Sequence, residues 1–385
     1  MIKSHPPIEI ATEKLAWFFG ETIHVVSQSR LPTPREDIFF YCPDSGNYKG
    51  VWTRDFCYIA ENVPELLDPA NSKRIFTRLW AGQRADGGVP CMLSMSNETP
   101  YLTVGNKAFT DTDNSMFLIK QVKAYVDVTG DLDAVAARWP SMVRAMDYVP
   151  RDRRGLVWID PDMPYTGYGF TDCWHKRGAE LFCTLLYWEA SQILADFARA
   201  LDRPDDEEEF RRRAGRIEKQ IHTFWNESVG ALAVTDRMLE FPDVWGNAYL
   251  LHIGFPAGEL NDRIGDWLVK NYERCVSRGQ VRHLPTPLYW PDTPYEVPKD
   301  EYQQGGYWGT ASGWMFTALA QKDPALAARM ATDMIDDFRQ NGVYESINRH
   351  HTKVKNYVAS VTNPAGALKR LLGIRDIRDA ARSGH

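Results

Sequence analysis

The chain contains no apolar run approaching the roughly 20 residues that cross a bilayer, so no membrane partner is expected. Its first ten residues, with Lys3, His5, two prolines and Glu9, lack the apolar stretch of a secretory leader, and a cytoplasmic home is the expectation. Cysteine is sparse: Cys42, Cys57, Cys91, Cys173, Cys183 and Cys275 are scattered without a C-x-x-C pair. That argues against a disulfide framework or a zinc knuckle and for free, mostly buried thiols. Positive charge is not in excess either, since 45 Lys and Arg against 51 Asp and Glu leave a net charge of -6. A nucleic-acid partner therefore has no basic footprint to bind. Gly305-Gly306 lacks the spacing of a phosphate loop, and the adjacent His350 and His351 make a poor pair for one metal. No cofactor is called for. Calcium held by loop carboxylates and the oligomeric state leave no readable mark.

Strand alternation is also nearly absent, apart from room for short hairpins in long loops. What is present is paired helices, expected at 8–27, 53–66, 70–84, 111–128, 131–149, 177–201, 206–226, 242–252, 259–274, 308–321, 324–341 and 356–372. From Gly178 to Leu201 nearly every position is apolar except a stripe at Glu189, Gln192, Asp196 and Arg199. A helix wetted along so narrow a strip must be covered on almost all sides. The next helix shows one apolar line, Phe210, Ala214, Ile217, Ile221 and Phe224, and so presents a single face to a core. The segments 131–149 and 324–341 are one-faced in the same way. Alternating inner and outer helices, six of each, describe an all-α fold, an (α/α)6 barrel. No linker divides residues 1–385, so one barrel domain is expected, with a polar tail from about residue 374. The long connections, 28–52, 85–110, 150–176, 227–241, 275–307 and 342–355, all enter inner helices and gather on one face, a usual place for function.

Each inner helix is preceded by an unusual cluster. Trp52-Thr53-Arg54-Asp55 leads the second helix, and Thr110-Asp111-Thr112-Asp113-Asn114 the fourth. Tyr165 to Lys176, containing Tyr168, Asp172, Trp174 and His175, precedes the sixth. Asp243-Val244-Trp245 opens the eighth, Tyr307-Trp308 the tenth, and Tyr344-Glu345 stands ahead of the twelfth. Capping and turn formation account for Asp, Thr, Ser and Gly at such places. They do not account for so many rings in a chain with thirteen Trp and seventeen Tyr. Together the clusters set carboxylates, amides and aromatics around one bowl, the groups that hydrogen-bond sugar hydroxyls and stack on sugar faces. The expected partner is a small carbohydrate substrate.

Cleaving a glycosidic bond needs one carboxyl protonated, to serve the leaving oxygen, and a second ionised, to activate water or attack the sugar. Asp172, set among Tyr168, Phe170 and Trp174, suits the acid, because aromatic surroundings favour the neutral carboxyl. His175 and Lys176 nearby pull the other way. Glu345, across the barrel in helix order, suits the base. A helix cap for Asp172 and an ion pair with Arg349 for Glu345 are the structural alternatives.

These residues resemble the six-hairpin glycosidases, the group of glucoamylases, trehalases, amylo-α-1,6-glucosidases and glycoside hydrolases of family 63, over about Lys49 to Gly373. Trp52-Thr53-Arg54-Asp55 is similar to the glucoamylase W-T-R-D element, which implies that Arg54 and Asp55 hold the terminal sugar. Gln83 to Pro90 is similar to the loop after the third helix, and Gly305 to Gly313 to the W-G entry into a late helix. The resemblance implies an acid at Asp172 and a base at Glu345. It also implies inversion at the anomeric carbon and an exo-acting, α-glucosidase-like hydrolase. Trp52, Gln83, Asp111, Asp113, Tyr168, Trp174, His175, Lys176, Trp245, Tyr307, Trp308 and Tyr344 would complete the sugar site. The family 63 G-M-D-N-S pattern is not kept in Gly169-Phe170-Thr171-Asp172-Cys173. Three other readings stay open on the residues alone. An epimerase or isomerase would use His175 and His350 or His351, a lyase would set Arg54, Lys176 and Arg349 against a uronate, and a binding module would need no Glu345.

Overall fold

The structure, a computed structural model, describes residues 8–34, 38–96, 99–101, 112–164, 167–237, 240–292 and 296–383. Among these, twelve longer helices form six hairpins. They are α1 (Thr12–Ser29), α2 (Thr53–Asn62), α3 (Pro69–Ala81), α4 (Asp113–Thr129), α5 (Trp139–Tyr148) and α6 (Leu181–Ala200) in the first half. The second half holds α7 (Pro204–Gln220), α8 (Val244–His252), α9 (Glu259–Lys270), α10 (Ser312–Ala320), α11 (Pro324–Asn341) and α12 (Ala359–Leu372). The even helices pack in sequence, α2 on α4, α4 on α6, and so on to α12, which returns to α2. That closed ring is the inner wall of an (α/α)6 barrel.

Side-chain periodicity explains which helix goes where. In α6 the positions in contact with water fall on Glu189, Gln192, Asp196 and Arg199 and at its C-terminal end, while Leu181 to Trp188 are buried without a break. In α7 only Phe210, Ala214 and Ile217 are buried, with Ile221 and Phe224 continuing the line into a 3-10 turn. Each fully buried Leu or Phe contributes roughly 1.5–3 kcal/mol, so a helix like α6 has no stable place outside a ring. All six cysteines are buried.

Proline and local capping move several boundaries. The expected helix 131–149 is two pieces, Leu132–Ala136 and α5, and the second carries Pro140 in its first turn. The expected helix 53–66 stops at Asn62 and continues as a 3-10 turn led by Pro64. The expected polar tail contains a further helix, Ile377–Arg382, whose buried Ile377 packs beneath α1.

Short antiparallel strands fill the loops on the side where the chain enters the inner helices. β1 (Gly50–Trp52), β2 (Met92–Ser94) and β3 (Pro100–Tyr101) make one small sheet. β4 (Val276–Ser277), β5 (Gln280–Arg282), β6 (Tyr307–Trp308), β7 (Tyr344–Asn348) and β8 (His351–Lys355) make another, in that spatial order. Its register, with Arg282 opposite Tyr307 and Tyr307 opposite Ile347, brings the last two long loops alongside each other. No helix of the described residues is long and apolar enough to cross a membrane.

Candidate active site

Glu345 sits inside β7, buried between neighbours that are only half-buried at the strand ends. Its carboxyl accepts from the Tyr48 hydroxyl at 3.0 and 3.1 Å, and the Tyr302 hydroxyl lies 3.5 Å from Oε1. No Arg349 ion pair forms among the described contacts. Tyr302 is held at φ 42°, a left-handed conformation uncommon for an aromatic residue. Its immediate neighbour Gln303 reaches the other carboxyl: Nε2 donates to Asp172 Oδ1 at 2.7 Å, while Oε1 accepts from the Cys173 amide at 3.0 Å. Consecutive residues of one strained turn therefore grip Asp172 and Glu345. Tyr48, Tyr302 and Gln303 were not expected from sequence; they lie in loops where no periodicity marks them, and only the turn signal of Gly305-Gly306 stood nearby.

Burial governs the electrostatics. Loss of water raises the Glu345 carboxyl to about 8, against the lowering effect of the Tyr48 hydrogen bond; Asp55 and Asp172 raise it further, and Lys353 lowers it. Asp172 is likewise raised by burial, with Gln303 and then Arg54 opposing. Asp55 is raised to about 6 by burial, with the Tyr357 hydroxyl, which donates to it at 2.6 Å, opposing. A negative charge on Asp55 or Asp172 disfavours the Glu345 anion, so the titration of these carboxyls is linked. Beneath them lies an aromatic floor. Phe170 meets Tyr357 at 6.3 Å, Trp308 at 5.8 Å and Trp245 at 6.2 Å, and Tyr48 stands edge-on to Trp52 at 5.9 Å.

A family profile described as the bacterial alpha-L-rhamnosidase 6 hairpin glycosidase domain matches residues 37–275. The chain belongs to that family, and it is a glycoside hydrolase. Solved structures share the fold at low identity. A rhamnosidase from Klebsiella oxytoca with rhamnose bound is 15% identical, with a TM-score of 0.66 over 97% of this chain and 66% of that one. The GH63 mannosylglycerate hydrolase from Thermus thermophilus in complex with glucose is 15% identical, with a TM-score of 0.60 over 93% of this chain and 100% of that one. A GH78 rhamnosidase of Bacillus sp. GL1 is 14% identical, with a TM-score of 0.62 over 96% of this chain, which spans 36% of that enzyme. No curated protein matches by sequence.

Within this glycosidase fold the remaining expected residues divide. Arg54 is buried, and its Nε and Nη2 bond Asp113 at 3.0 and 3.2 Å. The Gly169 amide also donates to Asp113, at 2.9 Å. A β-carbon on Gly169 would lie 1.9 Å from the Arg54 guanidinium carbon, so any larger residue must displace that guanidinium. Arg54 and Asp113 thus lock the Asp172 loop onto α4, and Asp55 joins the carboxyl group above. Trp52 is half-buried, and its indole Nε1 is buried without a hydrogen-bond partner among the described residues. Tyr168, Trp174, Trp245 and Trp308 are each 1% exposed or less. Trp174 stacks on Trp290 at 5.9 Å and Trp245 on His283 at 3.8 Å, so these rings build the floor. Tyr307 and Tyr344 are half-buried on β6 and β7.

The other expectations find different roles or fall outside the described residues. Lys176 forms a buried pair with Glu180 at 2.5 Å, and Glu180, whose Oε2 accepts from the Cys183 amide at 2.6 Å, is the cap of α6. Asp172 stands earlier, after a 3-10 turn at Gly169–Thr171, and does not cap that helix. Gln83 bonds the Ser141 carbonyl at 2.8 Å and receives Arg144, which ties outer helices α3 and α5 together. His175 faces Asp292 at 3.6 Å, and His350 is in the exposed turn after β7. Asp111 lies outside the described residues. Among those described, no group of three or more His, Cys, Asp and Glu side chains is placed to hold a metal ion.

Proposed function

We propose that the protein is an exo-acting, inverting glycosidase in which Asp172 and Glu345 divide the acid and base roles over a terminal sugar. The observation that carries this reading is the turn in which Tyr302 reaches Glu345 and Gln303 holds Asp172. In such a pair, the acid gives its proton to the glycosidic oxygen as the bond to the anomeric carbon breaks. The base takes a proton from the water that attacks the opposite face. Asp172 is assigned the acid and Glu345 the base. The Tyr48 and Tyr302 phenols, both kept protonated by burial, can only donate to Glu345 when it is ionised. Trp52, half-buried and with an indole N–H that has no partner among the described residues, is assigned to the sugar.

The terminal sugar is assigned as an α-L-rhamnosyl unit in the first place, since the matching family profile is that of bacterial α-L-rhamnosidases, and an α-glucosyl unit in the second. A reversed division of roles has its own support, because Glu345 raised to about 8 holds a proton at neutral pH in the free site. One set of assays decides both questions. Aryl α-L-rhamnosides and α-glucosides are compared as substrates, and the anomer released is followed by NMR. Asp172→Asn should retain activity on aryl glycosides with an activated leaving group, and Glu345→Gln should be rescued by azide. The opposite pattern reverses the roles, and full activity in both variants removes the proposal.

A further inference from the structure

On the same face of the barrel, a depression of about 550 Å³ is lined by Arg151, Asp152, Arg153, Arg154, Trp158 and Arg237. Its walls come from two of the long loops that enter inner helices: residues 150–158, on the segment leading to Asp172, and the loop before α8. Four guanidiniums face Asp152 in the wall and Asp236 behind it, whose side chain is buried, so two positive charges are in excess in a chain whose net charge is -6. Asp147, 4.0 Å from Arg151, is shared with Arg213 at 2.8 Å.

Arg151 and Arg154 are held in place before anything binds, while Arg153 and Arg237 are exposed. Arg154 pairs with Asp152 at 2.6 Å and with Asp236. Arg151 lies 5.0 Å over the Tyr187 ring, and the Arg153 carbonyl accepts from Arg216 at 2.7 Å. Arg237 lies 5.6 Å over the half-buried Trp158 ring and has a side chain 66% exposed. A planar guanidinium fork matches a carboxylate or sulfate with two parallel hydrogen bonds, and a fixed fork loses less freedom in doing so. An indole in the wall adds a flat amphipathic surface of the kind that packs on a sugar.

We infer that this depression is a binding site for an anionic glycan, a sugar chain bearing uronate or sulfate groups. A nucleic acid would fit the charge, but the wall offers one aromatic ring where a single strand needs a succession of stacking platforms. The site relies on charge and not on Asp172 or Glu345, so it stands or falls separately from the hydrolase assignment.

Titration calorimetry on the full-length Glu345→Gln protein tests it without turnover. The probes are a galacturonate hexasaccharide, a sulfated oligosaccharide, a neutral oligosaccharide of equal length and a single-stranded DNA oligonucleotide. At least one anionic sugar should bind, weaken as salt rises, and lose about tenfold or more in affinity when Arg153→Gln and Arg237→Gln are combined. Both positions are exposed, and an unchanged melting temperature would confirm that the variant is folded. Three results overturn the proposal: no binding of either anionic sugar, equal binding by the double variant, or DNA bound as tightly as the sugars.

Discussion

Replacing Tyr48 by Phe removes one hydroxyl and tests how Glu345 is tuned. That hydroxyl donates to both carboxyl oxygens, at 3.0 and 3.1 Å, and is the first of the influences that lower the Glu345 titration against burial. A hydrogen bond to a charged group contributes roughly 1.5–3 kcal/mol, which is about 1–2 pH units at 1.36 kcal/mol per unit. With Glu345 near 8, about a tenth of the molecules carry the anion at pH 7. The substitution should cut that fraction to about a hundredth or less, so kcat/KM at pH 7 falls roughly 10- to 100-fold. If Glu345 is the base, the ascending limb of the pH profile moves up by 1–2 units, and the loss is recovered at high pH over the range in which Asp172, also raised by burial, keeps its proton. The assay is kcat/KM against an aryl glycoside from pH 5 to 10. An equal loss at every pH would show that Tyr48 only positions the carboxyl, and an unchanged profile would refute the reasoning.

Other perturbations follow from the same contacts. Glu345→Gln should stabilise the fold at high pH. The folded carboxyl is raised from 4.5 to about 8, so the native state holds a proton the unfolded chain releases, and stability falls as pH rises through that window. Thermal melts should show no gain below pH 4.5 and a gain of a few kcal/mol by pH 8–9; a gain independent of pH would contradict it. Lys120→Met should destabilise by about 2–4 kcal/mol in urea titrations. Lys120 answers Glu61 at 3.1 Å and Glu189 at 2.8 Å, with Tyr249 beside it. The loss should shrink as pH falls toward 4 and Glu61, raised by burial, takes up a proton, and a loss equal at pH 4 and pH 8 would mean that packing dominates. Gly169→Ala must push the Arg54 guanidinium off Asp113, a pair that is almost wholly buried, and should cost about 3 kcal/mol or more. A variant as stable as the parent would show that the guanidinium has room to yield.

The barrel was legible because burial leaves a periodic trace. The strip Glu189, Gln192, Asp196 and Arg199 on α6, set against the single line from Phe210 to Phe224 that starts on α7, already distinguishes a walled-in helix from a surface one. Asp172 and Glu345 were legible as candidates because a carboxyl beside aromatic rings is chemically conspicuous. Their partners were not. Tyr48, Tyr302 and Gln303 sit in irregular loops, and what brings them to the carboxyls is a turn with Tyr302 at φ 42° and a sheet register joining Tyr307 to Ile347. Neither leaves a pattern in composition. The rings were over-read for a related reason. Trp245 and Trp308 stand at helix starts as Trp52 does, yet only the packing shows that the first two meet edge-on in a buried floor while the third is half-buried.

The way buried carboxyls are compensated separates structure from chemistry here. Asp113 has Arg54, Glu180 has Lys176, and Glu61 with Glu189 has Lys120. Asp113 and Glu180 are wholly buried and each is neutralised by one cation, as a fold requires of charge taken out of water, while Glu61 and Glu189 keep part of their side chains in water and share one. Glu345 is buried as deeply, but the groups within hydrogen-bond reach are phenols, and the cation that acts on it, Lys353, lies 4.9 Å over the Tyr302 ring. Phenols can hold a carboxylate in place without cancelling its charge. An arrangement that stabilised only the fold would have set a guanidinium there, as at Asp113, and would have fixed Glu345 as a permanent anion. The two phenols instead leave the proton of Glu345 able to exchange, as the role proposed for it in proton transfer requires.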